Sequence, residues 1–205
     1  MTSSKTFLIA GVGGGLGRAF AEQALHVGHR VVGTVRGPEQ VAGFEALEPG
    51  RAFARVLDIG SATGIEPVVR SIEDDIAPID VLIVGTDLGR DESDVDDPRG
   101  QLDVFGTVAF VKAVLPGMRR RRGGLVVVAT PGATPQSHHG SRFALVGIML
   151  SLAQEVASFG VRFTAVEPEA FFADLSSGSR LLEADDLAAP LALGTAFTDP
   201  ETPFP

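Results

Sequence analysis

A cluster of glycines near the amino end constrains the fold of this chain more than any other stretch. The apolar run 7–10 predicts a buried strand, most of the segment 11–17 is glycine, and a helical pattern begins near residue 16. Glycine allows the positive φ angles of a tight turn and leaves space for a ligand. The amides and dipole of the following helix favour an anion. The segment therefore predicts a diphosphate-binding turn formed by Gly11, Gly13, Gly15, Leu16 and Gly17, or else a glycine-rich turn without a ligand.

The rest of the chain alternates apolar runs with helical patterns. We predict strands at 7–10, 30–35, 52–57, 80–84, 125–129 and 161–166, and helices at 16–27, 38–47, 62–76, 101–118 and 142–159. This alternation predicts an α/β fold, namely a doubly wound, Rossmann-type parallel sheet within three αβα layers. We expect six or seven strands in the order 3-2-1-4-5-6. Residues 1–174 would form this single domain, and 175–205 an irregular tail with at most one helix, at 181–193.

Composition excludes several classes of function. A formal net charge of −9 argues against a nucleic-acid surface. No apolar run approaches the roughly 20 residues of a membrane span, and because the first residues lead directly into the first strand we expect no secretory signal. The chain has no cysteine and only four histidines, so we expect neither a disulfide nor a metal site. These observations predict a cytoplasmic protein that acts on a small-molecule substrate.

The predicted helix at 142–159 is apolar almost all round between residues 143 and 153. An outer helix of such a sheet is normally polar on its far side, so both faces of this helix should be buried. Self-association explains the pattern, and we expect a homodimer or homotetramer formed through helices 101–118 and 142–159. We expect the substitution Met149→Glu to dissociate the assembly by burying an unpaired charge.

Several segments resemble the short-chain dehydrogenase/reductase family between about residues 6 and 174. The stretch Ala10-Gly11-x-x-x-Gly15-Leu16-Gly17 is similar to the family's Thr-Gly-x-x-x-Gly-Ile-Gly turn, and Leu57-Asp58-Ile59 matches its adenine-binding segment. The resemblance implies a dinucleotide site that also includes Gly85, which follows the fourth strand. Val35 stands where members that prefer NAD carry an acid, and Arg36 follows it. Because an arginine there can bind a 2′-phosphate, we expect NADP(H) if a dinucleotide binds.

The catalytic half departs from the family pattern. The family's Tyr-x-x-x-Lys maps onto His138-x-x-x-Arg142, and the chain contains no tyrosine. Thr130 stands at the position of the catalytic serine. Asp87 and Glu169 add carboxylates after the fourth and sixth strands, where they could serve as bases or simply be exposed loop acids.

Three functions follow from this pattern and stay open at this point. The first is an NADP(H)-dependent carbonyl oxidoreductase that uses Thr130, His138 and Arg142. The second is a non-redox enzyme on the same scaffold, such as a cyclase, dehydratase or isomerase, that uses His138 with Asp87 or Glu169. The third is a non-catalytic subunit that binds the cofactor or a partner.

Overall fold

A computed structural model of the protein describes residues 4–57, 62–85, 102–129 and 139–166. The strands are β1 Thr6–Ile9, β2 Arg30–Val35, β3 Ala52–Val56, β4 Val81–Gly85, β5 Gly124–Ala129 and β6 Val161–Val166. The helices are α1 Gly15–His26, α2 Val41–Glu45, α3 Ala62–Asp75, α4 Leu102–Arg121 and α5 His139–Val156. Short 3-10 turns at Pro38–Gln40 and Ala157–Phe159 precede α2 and follow α5. The tail from residue 167, with the predicted helix at 181–193, lies outside the described residues.

The six strands form one parallel sheet in the order β3-β2-β1-β4-β5-β6, which confirms the predicted topology. The order reverses between β1 and β4, so the crevice above that switch point is where this class of sheet binds ligands. At the carboxyl edge, Gly85 of β4 pairs with Ala129 of β5, and Ala129 pairs with Val166 of β6. The strands β4, β5 and β6 therefore all end along one edge of the sheet.

Alternating side chains of the strands divide the core into two layers. Phe7 and Ile9 of β1 face α1 and Phe44 of α2, whereas Leu8 faces the other side. That second layer contains the buried faces of α3, α4 and α5, among them Phe110 and Met149. No helix within the described ranges is long and apolar enough to cross a membrane.

Two neighbouring apolar residues of α5 differ in their exposure. Met149 is 1% exposed and packs in the core of the chain itself, whereas its neighbour Ile148 is 37% exposed. The expectation that Met149 lies where a partner would contact it is therefore wrong, and the charge of Met149→Glu would enter the core of the monomer. A helix that is apolar all round does not reveal which of its faces the sheet covers.

The arginine run after the predicted end of α4 belongs to the helix, which extends to residue 121 instead of 118. Arg121 lies 2.8 Å from the Glu73 carboxylate of α3, and Arg119 lies 3.2 Å from Glu155 of α5. The Arg119 guanidinium also stacks over the Phe159 ring at 4.5 Å. The cations therefore connect α4 to both neighbouring helices. They also interact favourably with the negative, carboxyl end of the α4 dipole.

A buried histidine lies at the opposite end of the sheet from the glycine turn. His29 is 7% exposed, its ring stacks on Phe7 at 5.1 Å, and its Nδ1 accepts a hydrogen bond from the Lys5 amide. Burial lowers the pKa of His29 below its ordinary value of 6.5, and the charges of Lys5 and Arg51 lower it further against the opposing effect of Asp80. The folded environment thus favours the neutral form of this imidazole.

This histidine predicts a loss of stability in mild acid. Below about pH 6.5 the unfolded chain binds a proton at residue 29 that the folded chain excludes, so the free energy of unfolding falls as pH decreases. We expect His29→Gln, which can still accept from Lys5, to have a smaller difference between urea midpoints at pH 7.5 and pH 5.5 than the native protein. Equal differences in the two proteins would contradict this assignment.

Candidate functional site

The glycine segment forms a tight turn between β1 and α1, as predicted. Gly11 has a φ of 82° and Gly15 a φ of 55°, both in the left-handed region that favours glycine. Gly14, which is extended, caps the amino end of α1 without a side-chain hydrogen bond. The chain thus turns through backbone conformations that a larger residue could adopt only with strain.

A buried threonine of β2 holds the first half of this turn. The Gly11 amide donates to Thr34 Oγ1 at 2.8 Å, and the Val12 amide donates to the Thr34 carbonyl at 2.9 Å. On the other side, the Ala10 amide donates to the carbonyl of Ile83 in β4 at 3.0 Å. These bonds use the amides of residues 10–12, so those amides are not available to a ligand.

Packing below the turn explains a glycine inside β2. A Cβ built at Gly33 would collide with the Val12 side chain and would lie 3.0 Å from Cζ of Phe44. Val12, which is fully buried, therefore occupies the space above Gly33 and anchors the turn to the sheet. Both valine and phenylalanine belong to the core layer beneath α1.

The second half of the turn presents backbone amides at the start of α1. Leu16 is 5% exposed and belongs to the core, so its side chain cannot contact a cofactor, and Gly17 is buried as well. The first amides of a helix have no partner within the helix, and here the N-cap residue Gly14 offers no side chain to them. Gly15, Leu16 and Gly17 therefore offer a site for an anion through N–H groups and the helix dipole.

The end of β2 provides the second wall of this crevice. Val35 is 2% exposed and has no polar group, whereas Arg36 directly after it is exposed. The Arg36 amide donates to Oε1 of Gln40 at 3.0 Å. The same Gln40 side chain approaches Gly13, because a Cβ built there would lie 2.9 Å from Nε2. Gln40 therefore joins the loop after β2 to the glycine turn.

The structure does not describe most of the predicted catalytic residues or the predicted adenine-binding pair. Outside the described residues lie Asp58, Ile59, Asp87, Thr130, His138 and Glu169. The backbone of Arg142 lies in the first turn of α5, which begins at residue 139 instead of the predicted 142. Packing alone requires glycine at position 85, since a Cβ there would collide with the Ala129 carbonyl and lie 2.8 Å from the Ala129 Cβ.

A cleft of about 310 Å³ lies at the amino edge of the strands, away from the glycine turn. It is lined by Lys5, Asp80, Arg121, Arg162 and the glycines at 123, 124 and 160. Asp80 accepts from the Thr6 amide at 2.8 Å, and Arg121 pairs with a carboxylate of α3, so these charges already stabilise the fold. Across the described ranges, no group of histidine, aspartate and glutamate side chains could hold a metal ion.

Sequence reasoning missed two residues that organise the turn. A threonine inside an otherwise apolar strand needs a partner for its hydroxyl, and this signal could have identified Thr34 as a structural anchor. Gln40 gave no comparable signal, because its contacts with the turn lie 27 positions away in the chain. The sheet, and not a local sequence pattern, brings the glycine turn and the loop with Gln40 together.

Known proteins resemble this chain over most of its length. The family model for short chain dehydrogenase matches residues 5–181. The oxidoreductase BOA17 of Botryotinia fuckeliana (strain B05.10) is 31% identical over 86% of this chain and 69% of its own length. The 3-oxoacyl-(acyl-carrier-protein) reductase FabG of Vibrio harveyi is 30% identical over 92% of this chain and 81% of its own. A short-chain dehydrogenase structure from Streptomyces avermitilis aligns with a TM-score of 0.68 and 32% identity, over 82% of this chain and 66% of that one.

Proposed function

The chain belongs to the short-chain dehydrogenase family, and on that premise we propose that it is an NADP(H)-dependent oxidoreductase acting on a carbonyl group. The observation that carries the proposal is the turn at Gly11–Gly17, which leads into α1 without a side-chain cap and follows the strand at the switch point of the sheet. The diphosphate of the cofactor would accept hydrogen bonds from the amides of Gly15, Leu16 and Gly17. Asp58 and Ile59 would contact the adenine, as the family resemblance implies.

The end of β2 supports NADP(H) over NAD(H). An acid that accepts from the ribose 2′-OH is absent from the strand end, where Val35 is buried. The exposed Arg36 can instead donate two parallel hydrogen bonds to a 2′-phosphate. The loss of a hydrogen bond to a charged group costs about 1.5–3 kcal/mol of binding free energy. This corresponds to a roughly 10- to 150-fold preference for NADP(H) over NAD(H).

The chemical step requires a proton donor other than tyrosine. His138 stands at the position of the family tyrosine, and a neutral imidazole can donate through its N–H to the oxygen that forms during reduction. Thr130 keeps a hydroxyl that can orient the substrate carbonyl, and Arg142 can donate to the nicotinamide ribose. Reductases among the relatives support carbonyl reduction as the reaction class. NADPH would supply the hydride, and the His138 N–H would stabilise the negative charge that develops on the oxygen until water protonates it.

The test follows NADPH absorbance with ketones, quinones and 3-oxoacyl thioesters as substrates. We expect turnover by the native protein and a loss of about 100-fold in His138→Ala, in the range typical of general acid catalysis. His139→Ala is the matched control and should keep most of the activity. NADPH binding without turnover of any carbonyl would contradict the oxidoreductase and leave the cofactor as a structural ligand. Equal activity in the two alanine variants would contradict the role of His138.

We also propose that the protein assembles as a homodimer or homotetramer through α4 and α5. Phe105 of α4 is 73% exposed and Ile148 of α5 is 37% exposed, and large apolar side chains on neighbouring helices are suited to a second copy. A stable interface buries about 800 Å² per partner.

This assembly predicts different results for two adjacent substitutions in α5. Ile148→Glu should reduce the molar mass measured by light scattering to that of the monomer while the protein stays folded, because an exposed position tolerates charge in the monomer. Met149→Glu should unfold the protein, since an unpaired charge enters the core. A native protein that is monomeric at micromolar concentration would contradict the proposal.

A further inference from the structure

The side chain of Gln40 occupies the junction between the glycine turn and the loop after β2. It is half-buried at the end of the 3-10 turn Pro38–Gln40. Its Oε1 accepts a hydrogen bond from the Arg36 backbone amide at 3.0 Å, so the oxygen end of the carboxamide faces Arg36. An ideal Cβ at Gly13 would lie 2.9 Å from Nε2 and 3.3 Å from Oε1, so the carboxamide covers the turn at that residue.

This junction is where a doubly wound sheet contacts the ribose that carries the adenine. Val35 cannot contact the ribose with a polar group, because its side chain is apolar and buried. With Oε1 engaged by Arg36, the two donors of Nε2 remain on the side of the turn. Nε2, with its two donors, is therefore the end of the carboxamide that lies nearest to Gly13.

Glu39, which precedes Gln40, brings a negative charge to the same loop. The carboxylate of Glu39 folds back against Gly37, where both of its oxygens would collide with a Cβ. A carboxylate so close to the loop weakens binding of a phosphate there, unless donors and cations outweigh it. The cation of Arg36 and the amide donors of Gln40 favour phosphate binding and oppose the effect of Glu39.

We infer that Gln40 determines cofactor specificity by positioning Arg36 and by donating to the 2′-phosphate of the adenosine ribose. The inference rests on the proposed binding of NADP(H) at the turn. Its Oε1 holds the loop through the Arg36 amide, while its Nε2 faces the phosphorylated ribose. The ligand group is thus an adenosine ribose that carries a phosphate at its 2′ position instead of a free hydroxyl.

The substitution Gln40→Glu separates these two roles. Glutamate keeps the shape and the acceptor for the Arg36 amide, but it replaces the donor with an anion. We expect the Kd for NADPH to rise about 10- to 100-fold, the scale of one charge-assisted hydrogen bond lost, and the Kd for NADH to change less than about twofold. Calorimetric titration of both cofactors measures this ratio, which a merely structural defect would not move.

A matched control is Gln154→Glu, which adds the same charge at an exposed position of α5. It should leave both dissociation constants unchanged, and thermal melts should show that Gln40→Glu is folded. Equal weakening of NADPH and NADH by Gln40→Glu, or no weakening of NADPH, would overturn the inference alone. Failure of the native protein to bind either dinucleotide would overturn the proposed function together with the inference.

Discussion

Gly15→Val should abolish NADPH binding. The new side chain would occupy the space above the helix-end amides that the diphosphate needs, and the loss should exceed about 100-fold, or roughly 2.7 kcal/mol. A β-branched residue also strains the backbone at a φ of 55°, so the variant should melt at a lower temperature than the native protein. Calorimetric titration, with circular dichroism to show that the variant is folded, measures both effects.

The matched control for this prediction is Gly43→Val. A Cβ at Gly43, in the exposed part of α2, would meet nothing within 4 Å, and the residue has no positive φ. NADPH binding should therefore be unchanged in this variant. Binding that survives in a folded Gly15→Val would show that the diphosphate does not lie on this turn.

Gly33→Val should be among the most destabilising substitutions in the chain. The added side chain would collide with Val12 and press on Phe44 within a fully packed layer, which costs about 1–3 kcal/mol in typical cores and sometimes more. Because Val12 belongs to the glycine turn, NADPH binding should weaken in the same variant. Urea denaturation measures the loss of stability.

Gly33→Ala provides the graded comparison. Its single methyl group should cause a smaller loss than valine, since Val12 can shift by less to admit it. A midpoint of urea unfolding that is unchanged in Gly33→Val would mean that the turn is not anchored to β2 through Val12.

The sequence was sufficient to predict the sheet because its signals are local and repeated. Each strand is an apolar run separated from the next by a helical pattern, and right-handed crossovers then restrict the strand order to few choices. The predicted order is confirmed. The ends of elements were less accurate: α5 begins at residue 139 and α4 continues to residue 121, through the arginine run. At the end of α4, Arg121 pairs with Glu73 of α3, a contact between helices that local sequence does not specify.

The candidate site could be predicted only in part. The glycines of the turn were predicted from conformational requirements that act within one loop, and two of them have positive φ angles. Thr34 and Gln40 were missed, because each contacts the turn from a segment more than 20 residues away. The interpretation of Met149 was wrong for a related reason, since only the packed structure shows which face of an apolar helix the sheet covers.

The measurement that tests the account most directly is calorimetric titration of the native protein with NADPH and NADH. We predict one site per chain for NADPH, with a Kd at least about tenfold lower than that for NADH. Arg36→Ala should remove most of this difference by weakening NADPH and leaving NADH nearly unchanged. The absence of binding heat and of a thermal shift with either dinucleotide would contradict the proposal that the turn at Gly11–Gly17 is a cofactor site.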